Sequence, residues 1–319
     1  MKLKKILILN EDNDWNKRLP GIKNSQREAY EFFYTRACKE YGLEIFRANL
    51  NWYKTGTFNK AWTYKDNVWI KLKNSIKPDI IMDWAFLNDK NIEKKREILS
   101  NFITTTPLDL QLLVDDKLMT NMMFSDMTVN YFTVHNNDEL KLVLPKIKSS
   151  KVVLKPRFGA GGYGIKILTK YKATKTKILG RTVVEEFLDS SKGVPGIYKG
   201  VHDFRVIITG TKLIASFIRT AAPGTKLCNV SQGGSIIPVP LNKIPQAIKR
   251  VLKIIERKLV IFPYKIYSAD FFFKNQKPLL IELNSKSMIS LPAEFFALES
   301  QIQYGYLDYL SSIVYKNKK

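Results

Sequence analysis

The chain has 319 residues, 45% of them hydrophobic, and its 52 lysines and arginines against 29 acids give a formal net charge of +23. This length allows roughly two or three packed units, and no apolar run approaches the roughly 18 residues that a membrane span needs. The first apolar run, Ile6 to Leu9, is too short for the core of a signal peptide. We therefore expect a cytoplasmic protein without a membrane partner.

The net charge and the two cysteines exclude few further classes of protein. Cys38 and Cys228 are far apart and have no C-x-x-C partner, so they predict neither a disulfide framework nor a zinc site. A positive field attracts nucleic acid, anionic membrane or an acidic substrate, and charge alone does not choose among them. Because no recognised nucleic-acid motif accompanies the lysines, binding of nucleic acid through charge alone is the weakest hypothesis.

The first third of the chain alternates apolar strands with amphipathic stretches. Asn24 to Tyr41 predicts a helix that ends at Gly42, and short apolar runs around it predict strands. These strands are KKILILN (4–10), LEIFRA (43–48) and DIIMD (79–83). The alternation indicates an α/β unit with a parallel sheet.

The middle of this unit has no clear periodicity. Residues 51–75 are predicted to be irregular, with Trp52, Trp62 and Trp69 among polar residues. These tryptophans form either a lid or a hydrophobic clip, and we favour the clip. The sequence TTTP at 104–107 then predicts a domain boundary.

The rest of the chain is predicted to be one helical segment followed mainly by strands. LLVDDKLMTNMMF predicts a helix that carries Lys117, and VVLKPRFGAGGYGIKIL predicts a strand, a loop and a strand. A connection rich in lysine and threonine leads to the strand TVVEEFL. Two hairpins follow, DFRVIITGTKLIASFIR and YSADFFFKNQKPLLIELN, with an amphipathic helix at 244–259 between them.

Gly159, Gly161 and Gly164 form the pattern G-x-G-x-x-G, which several phosphate-binding loops share. A Walker loop needs Lys-Ser or Lys-Thr after its last glycine, and both it and a dinucleotide fingerprint need a helix there. The run IKIL that follows predicts a strand instead. A protein-kinase loop does lead into a strand, but no H-R-D or D-F-G motif appears later in the chain.

Two interpretations of this loop remain. A plain hairpin turn would need glycine only for a positive φ. Four glycines in six residues, next to Lys155-Pro156-Arg157, are more than such a turn needs. Backbone N–H groups without side chains around them bind anions, so we favour a flap that covers phosphates.

The second hairpin predicts a pair of carboxylates. If the chain turns around Gln276, residues whose numbers sum to 552 lie opposite each other, so Asp270 faces Glu282 and Asn284 points to the same face. Opposed carboxylates repel each other unless a cation or a proton lies between them. Two acids and an amide suit magnesium, whereas a solvated sheet face is the plain alternative. The apolar neighbours of both acids favour burial, and hence the metal site.

Together these segments resemble the ATP-grasp superfamily, in particular its ribosomal-protein glutamate ligases and glutathione synthetases. The resemblance covers about residues 110–290 in the order DDKLMT, VVLKPRFGAGGYGIKIL, VVEEFL, HDFRVIITG, FIRT, NVSQGG, SADFFF and IELN. It implies an α/β fold of the α+β ATP-grasp type. The domains it implies are an N-terminal α/β pre-ATP-grasp domain (1–108), a central ATP-grasp subdomain with the glycine-rich phosphate loop (109–187) and a C-terminal ATP-grasp subdomain with the metal site (188–319).

The resemblance also implies roles for single residues. ATP would be bound by two phosphate lysines, a mobile glycine loop and a hinge strand that reads adenine and ribose, namely Lys117, Lys155, Gly159, Gly161, Gly162, Gly164, Glu185, Glu186, Phe187 and Leu188. Arg205 and Arg219 would lie near the transferred phosphoryl group, and Asn229 would be the catalytic asparagine of an N-x-x-x-G-G segment. Asp270, Glu282 and Asn284 would bind magnesium, with two ions expected and manganese as a substitute. Plainer roles are a surface arginine for Arg205 and a solvated lysine for Lys117.

The activity implied is that of an ATP- and magnesium-dependent carboxylate–amine ligase that acts through an acyl phosphate. Its partners would be ATP, an acidic substrate and an amine acceptor such as an amino acid or a peptide, and the oligomeric state stays open, a homo-oligomer included. An ATP-grasp kinase of a small polyol or inositol phosphate is the alternative, because a basic surface also suits it.

Two segments depart from the family pattern. Ser285, Lys286, Ser287 and Met288 stand where many relatives have a Pro-Gly turn that shapes the acceptor site. The connection at 169–181 is short and basic where relatives often place a helix. Both departures concern the identity of the substrates more than the binding of ATP.

Overall fold

The structure is a computed structural model that describes residues 2–12, 14–15, 24–66, 68–159, 161–230, 233–287 and 291–316. Met288, the last residue of the segment that departs from the Pro-Gly turn, lies outside these ranges. Three sheets follow one another along the chain, and a two-stranded ribbon lies beside the first. Within the described ranges, no helix is long and apolar enough to cross a membrane.

The first sheet has six strands around a parallel centre, as the alternation of strands and helices predicted. In chain order the elements are β1 (Lys4–Asn10), α1 (Asn24–Tyr41), β2 (Leu43–Asn49), the ribbon strands β3 (Tyr53–Lys54) and β4 (Thr57–Phe58), β5 (Ala61–Lys65), β6 (Val68–Leu72), β7 (Ile80–Asp83), α2 (Ile92–Ser100) and β8 (Ile103–Thr104). The strand order is β6-β5-β2-β1-β7-β8, and β1 runs parallel to both β2 and β7. Ile6, Leu7 and Leu9 of β1 are buried on both faces of the sheet, which is typical of a central parallel strand.

The prediction that residues 51–75 are irregular is wrong. The strands β5 and β6 form a hairpin that extends the sheet, and β3 and β4 form the ribbon. Trp52 and Trp62 are buried in the core, and Nε1 of Trp62 donates a hydrogen bond to Asp14 at 2.9 Å. Aromatic side chains favour strands, but the polar residues between them concealed the pattern in the sequence.

The helical segment predicted around Lys117 is two helices, α3 (Leu108–Val114) and α4 (Lys117–Met123). The chain breaks between them because Asp116 is the N-cap of α4, where its side chain accepts hydrogen bonds from the N–H groups of Leu118 and Met119. Lys117 is therefore the first residue of a helix and not part of a continuous one.

The second sheet has four antiparallel strands. Its elements are β9 (Tyr131–Val134), α5 (Asn137–Val143), β10 (Lys151–Pro156), β11 (Lys166–Thr169), α6 (Lys170–Thr174) and β12 (Thr182–Glu186), and the strand order is β11-β10-β12-β9. The expectation that no helix follows β11 is wrong, because Thr169 caps the short helix α6. The glycine-rich segment connects β10 to β11, so the strand predicted after it is confirmed.

The third sheet has five antiparallel strands with helices on both faces. Its elements are β13 (His202–Thr209), β14 (Lys212–Thr220), β15 (Ser235–Pro238), α7 (Gln246–Lys258), β16 (Ile266–Lys274), β17 (Lys277–Asn284) and α8 (Phe296–Lys316), and the strand order is β15-β14-β13-β16-β17. Val206 and Ile208 share a core with α7, whereas Ile207 shares a core with α8 and α1. Alternate residues of β13 thus face opposite sides of the sheet.

A buried ion pair joins the first sheet to α2. Asp83 is the last residue of β7, and its Oδ2 lies 2.7 Å from Nζ of Lys95, with both side chains fully buried. Nζ of Lys95 also donates to the carbonyl of Ala85 at 2.5 Å, and Nε2 of Gln111 donates to Asp83 at 2.7 Å. Burial lowers the pKa of Lys95 to about 8, although the carboxylate of Asp83 opposes this shift.

We predict that Asp83→Ala lowers the free energy of unfolding by about 3–5 kcal/mol, because it leaves the charge of Lys95 buried without its partner. Urea unfolding followed by circular dichroism measures this loss. Glu97→Ala is the control, since Glu97 pairs with Lys94 on the same helix but is half-exposed, and its loss is expected to stay below about 1 kcal/mol. Equal losses for the two variants would contradict this role of the buried pair.

Candidate active site

One face of the third sheet carries most of the polar residues singled out in the sequence. Asp203 lies opposite Arg219, Arg205 lies opposite Asp270, and Asp270 lies opposite Glu282. Since opposed residues in an antiparallel pair point to the same face, these side chains form one cluster. Asp203, Arg219, Asp270 and Glu282 line the same cavity as residues of the second sheet.

Two arginines neutralise the buried acids of this face. Nε and Nη2 of Arg205 donate to the two carboxylate oxygens of Asp270 at 2.7 and 2.6 Å. Arg219 makes the same paired contact with Asp203 at 2.7 and 2.8 Å, and its Nη2 donates to Asp270 at 2.8 Å. Such forked contacts hold a guanidinium in one orientation, so both arginines are fixed in place.

The pKa values of Asp203 and Asp270 are shifted in opposite directions. Burial favours the neutral acid in both cases, but Arg205 and Arg219 outweigh it at Asp270, and the pKa of Asp270 falls below its ordinary value. Burial raises the pKa of Asp203 to about 6, because the attraction of Arg219 is opposed by the nearby charge of Asp270. Asp270 is therefore the more firmly ionised of the two.

The predicted pairing of Asp270 with Glu282 is confirmed, for a reason that the sequence did not show. The turn has two residues, Asn275 and Gln276, both with positive φ. The residue numbers of the pairs next to this turn therefore sum to 551 and not to 552. A β-bulge between Asp270 and Phe271 then shifts the register by one and leaves Ile281 unpaired. Without the bulge, Asp270 would face Ile281.

The lysines predicted to bind phosphate approach from the other side of the cleft. Nζ of Lys117 donates to the carbonyl of Gly159 at 2.6 Å and lies 3.5 Å from Oε1 of Glu282. Nζ of Lys155 lies 2.6 Å from Oε2 of Glu185, and Nδ2 of Asn121 donates to Oε1 of the same acid at 3.2 Å. Both lysines are buried, and the ammonium group of each lies within 3.5 Å of an acid of the cleft.

The glycine loop lies against Asn229. Gly162 has a φ of +77°, in the left-handed region, and a Cβ added to it would lie 2.5 Å from Oδ1 of Asn229. Gly164 is equally constrained, because its φ is +75° and a Cβ added to it would lie 2.7 Å from Cγ of Pro156. Residues at these two positions must lack a side chain for the loop to adopt this path, and Gly159 and Gly161 also have positive φ.

A cavity between the second and third sheets has an apolar slot at one end and the charged cluster at the other. Val153, Ile165 and Ile167 line it on one side, and Val201, Phe272 and Ile281 line it on the other. Its edge is formed by the predicted hinge, Glu185 to Leu188, and by the neighbouring Asp189 and Ser190. The bulge at Ile281 thus places an apolar side chain in the slot beside Glu282.

The acids of the hinge already have partners. The side chain of Glu185 binds Lys155, and Oε1 of Glu186 accepts a hydrogen bond from the N–H group of Ser149 at 3.0 Å. Asp189, which the sequence did not single out, lines the cavity, and the hydrogen bond that it accepts from the backbone N–H of Ser191 lowers its pKa.

The structure also brings together residues that the sequence interpretation missed. Asp203 holds Arg219, and its two-residue spacing from Arg205 could have placed both on one face. Asp116 binds Arg157 through both carboxylate oxygens, at distances between 2.5 and 2.9 Å, and so ties α4 to the glycine loop. Within the described residues, no group of three or more acids, histidines or cysteines is placed to hold a metal ion.

Comparisons of the sequence with known proteins give distant relatives. No family model matches the chain. A probable alpha-L-glutamate ligase of Hydrogenovibrio crunogenus is 24% identical over 191 residues, which are 58% of this chain and 57% of that protein. A probable alpha-L-glutamate ligase of Shewanella halifaxensis is 26% identical over 46% of this chain and 30% of its own length. The chain thus spans less than two thirds of the length of these relatives.

Comparisons with solved structures cover nearly the whole chain. A D-cycloserine synthetase matches with a TM-score of 0.60 and 10% identity, over 96% of this chain and 99% of its own. An ATP-grasp ligase of Chryseobacterium gregarium, solved with ADP and peptides, also matches with a TM-score of 0.60, at 14% identity and over 99% and 98% of the two chains. A D-alanine–D-alanine ligase of Bacillus anthracis complexed with ATP matches with a TM-score of 0.55, at 11% identity and over 99% and 100%. The chain therefore has the ATP-grasp fold, as its motifs predicted.

Proposed function

We propose that the protein is an ATP- and magnesium-dependent carboxylate–amine ligase. The observation that carries this proposal is the convergence of Lys117, Lys155, Arg205 and Arg219 on one cleft beneath a glycine loop. In phosphoryl transfer a protein mainly positions groups and neutralises charge, and four fixed cations suit a triphosphate. The relatives named as ligases support the same class of reaction.

We infer that ATP binds along the cavity. Its adenine would fit the apolar slot between Ile167 and Ile281, beside the backbone of the hinge at Glu186 to Leu188. Its phosphates would then extend toward Lys117 and Lys155, where they would replace Glu282 and Glu185 as partners of the ammonium groups. The N–H groups of the glycine loop would cover them.

Glu282 and Asn284 fit a role as magnesium ligands. The side chain of Glu282 keeps partial access to the cavity, and its nearest cation is the 3.5 Å contact with Lys117. Asn284 would offer magnesium its amide oxygen, because the NH2 group is a hydrogen-bond donor and does not bind cations. Asp270 would share its oxygens between the metal and the two arginines. Magnesium, when bound, would neutralise charge on the phosphate oxygens.

The proposed reaction has two steps. A carboxylate oxygen of the substrate attacks the γ-phosphorus, the bond between this phosphorus and the bridging oxygen breaks, and ADP leaves with an acyl phosphate as the other product. The amine nitrogen then attacks the acyl carbon, phosphate leaves with the electrons of the C–O bond, and the proton of the nitrogen passes to phosphate or water. Arg205 and Arg219 would stabilise the charge on the transferred group.

The names of the relatives point to amino acids and peptides as the acid and the amine. The cytoplasmic location, the second magnesium ion, the use of manganese, the domain boundaries and the oligomeric state stay predictions.

Hydroxylamine tests the ligase proposal even while the natural amine is unidentified, because it traps acyl phosphates as hydroxamates. We predict that the protein, ATP, magnesium and a panel of amino acids and acidic peptides release ADP and form a hydroxamate with at least one acid. Mass spectrometry identifies the product. A parallel panel contains polyols and inositol phosphates. ATP consumption only with this second panel, with a stable phosphorylated product, would contradict the proposal and favour the kinase.

The glycine loop gives a second prediction. Gly162→Val is expected to raise the KM for ATP at least about tenfold, because its side chain collides with Asn229 and lifts the loop from the phosphates. Gly180→Val is the matched control, since Gly180 has a φ of +76° and open space around its Cβ position. Steady-state kinetics of both variants separates backbone strain from the contact with Asn229. If the two variants had equal KM values for ATP, the rise in KM would be due to strain and not to this contact.

The metal site gives a third prediction. We expect Glu282→Gln to raise the magnesium concentration for half-maximal turnover at least about tenfold, because the neutral amide is a poorer ligand. Glu294→Gln, which changes an exposed acid, is the control. Electron paramagnetic resonance of manganese bound in the presence of ADP measures the same loss without turnover. Unchanged manganese binding by the Glu282 variant would remove this acid from the metal site.

A further inference from the structure

Lys286 lines a second pocket, which shares none of its lining residues with the cavity between the second and third sheets. Phe86, Phe158 and Tyr163 line this pocket together with Asn284 and Lys286. Phe86 comes from the loop after β7 and Tyr163 from the glycine loop, and both rings are largely exposed at its mouth. The pocket thus combines an aromatic entrance with a buried cation.

A chain of polar contacts fixes Lys286 in this pocket. Its Nζ donates to Ser285 Oγ at 2.7 Å and to Gln111 Oε1 at 2.8 Å. Nε2 of Gln111 donates to Asp83, so the amide of Gln111 can only present its oxygen to the lysine. The ammonium group is therefore positioned before any ligand arrives.

The third contact of the ammonium group is the weakest. Nζ of Lys286 lies 3.3 Å from Oδ2 of Asp115, whereas both oxygens of Asp115 accept bonds of 2.6 Å from the N–H and hydroxyl groups of Ser285. Asp115 thus keeps two short bonds if the lysine turns its third proton to another anion. A carboxylate is the ligand that this proton would suit.

We propose that Lys286 selects a substrate with two carboxylates, by binding the one that does not react. This inference rests on the proposed function, because the reacting carboxylate would lie on the other side of Asn284, toward Arg205 and the phosphates. The carbon chain between the two carboxylates would lie against the rings of Phe86 and Tyr163. A dicarboxylic acid or an acidic amino acid, free or within a peptide, has this chemistry.

Direct binding tests the proposal. The protein is saturated with magnesium and a non-hydrolysable ATP analogue, and calorimetry measures the binding of L-glutamate, L-aspartate and glutarate against L-glutamine, L-asparagine and the monoamide of glutarate. At least one acidic probe is expected to bind about tenfold to a hundredfold tighter than its amide counterpart. Lys286→Met should abolish this preference, and Lys286→Arg should keep part of it.

One control tests whether the effect is specific to Lys286, and a second tests whether the variants are folded. Lys90→Met changes an exposed lysine in the loop after Phe86 and should leave the preference unchanged. Affinity for the ATP analogue shows that the Lys286 variants are folded. The proposal is overturned if the unaltered protein does not distinguish acids from amides, or if Lys286→Met still does. Acid preference without hydroxamate formation would instead contradict the ligase proposal alone.

Discussion

The structure depends on the pairing of buried charges around its cleft. Lys155 pairs with an acid of the second sheet, and Arg205 and Arg219 pair with acids of the third. The helix α4 connects the two sheets, because its Lys117 lies 3.5 Å from Glu282 and its Asn121 donates a hydrogen bond to Glu185. A buried charge without a partner is costly, so these elements must meet in one arrangement. In the proposed reaction the same pairing would prepare the site, because ATP and magnesium would take over the partners of groups that are already in position.

Burial of charge also links the first sheet to the site. Asp83 at the end of β7 binds Lys95 and Gln111, and Gln111 in turn orients Lys286. Asp115 ends α3 and holds Ser285, the residue that follows β17. Through these contacts β7 and α3 shape the pocket of Lys286, which Gly159 and Gly161 of the glycine loop also line. Lys286 belongs to the segment that departs from the Pro-Gly turn implied by the resemblance.

The sequence predicted what depends on local periodicity and on motif order. The parallel centre of the first sheet, the strand after the glycine loop and the opposition of Asp270 and Glu282 are confirmed. The strands within 51–75 and the break before Lys117 were missed, because a hairpin of mixed polarity and an aspartate cap resemble a loop and a helix interior. The role of Asp203 was missed because a register shift between Ile207 and Ile208 brings it opposite Arg219, and the sequence does not reveal such a shift.

We propose that the cleft between the second and third sheets binds ATP with its phosphates at the two lysines. A crystal structure with magnesium and a non-hydrolysable ATP analogue tests this most directly. We expect adenine in contact with Ile167 and Ile281, and phosphate oxygens within hydrogen-bond distance of Lys117 and Lys155. Nucleotide bound elsewhere, with Lys155 still paired to Glu185 and no phosphate near Lys117, would contradict the claim.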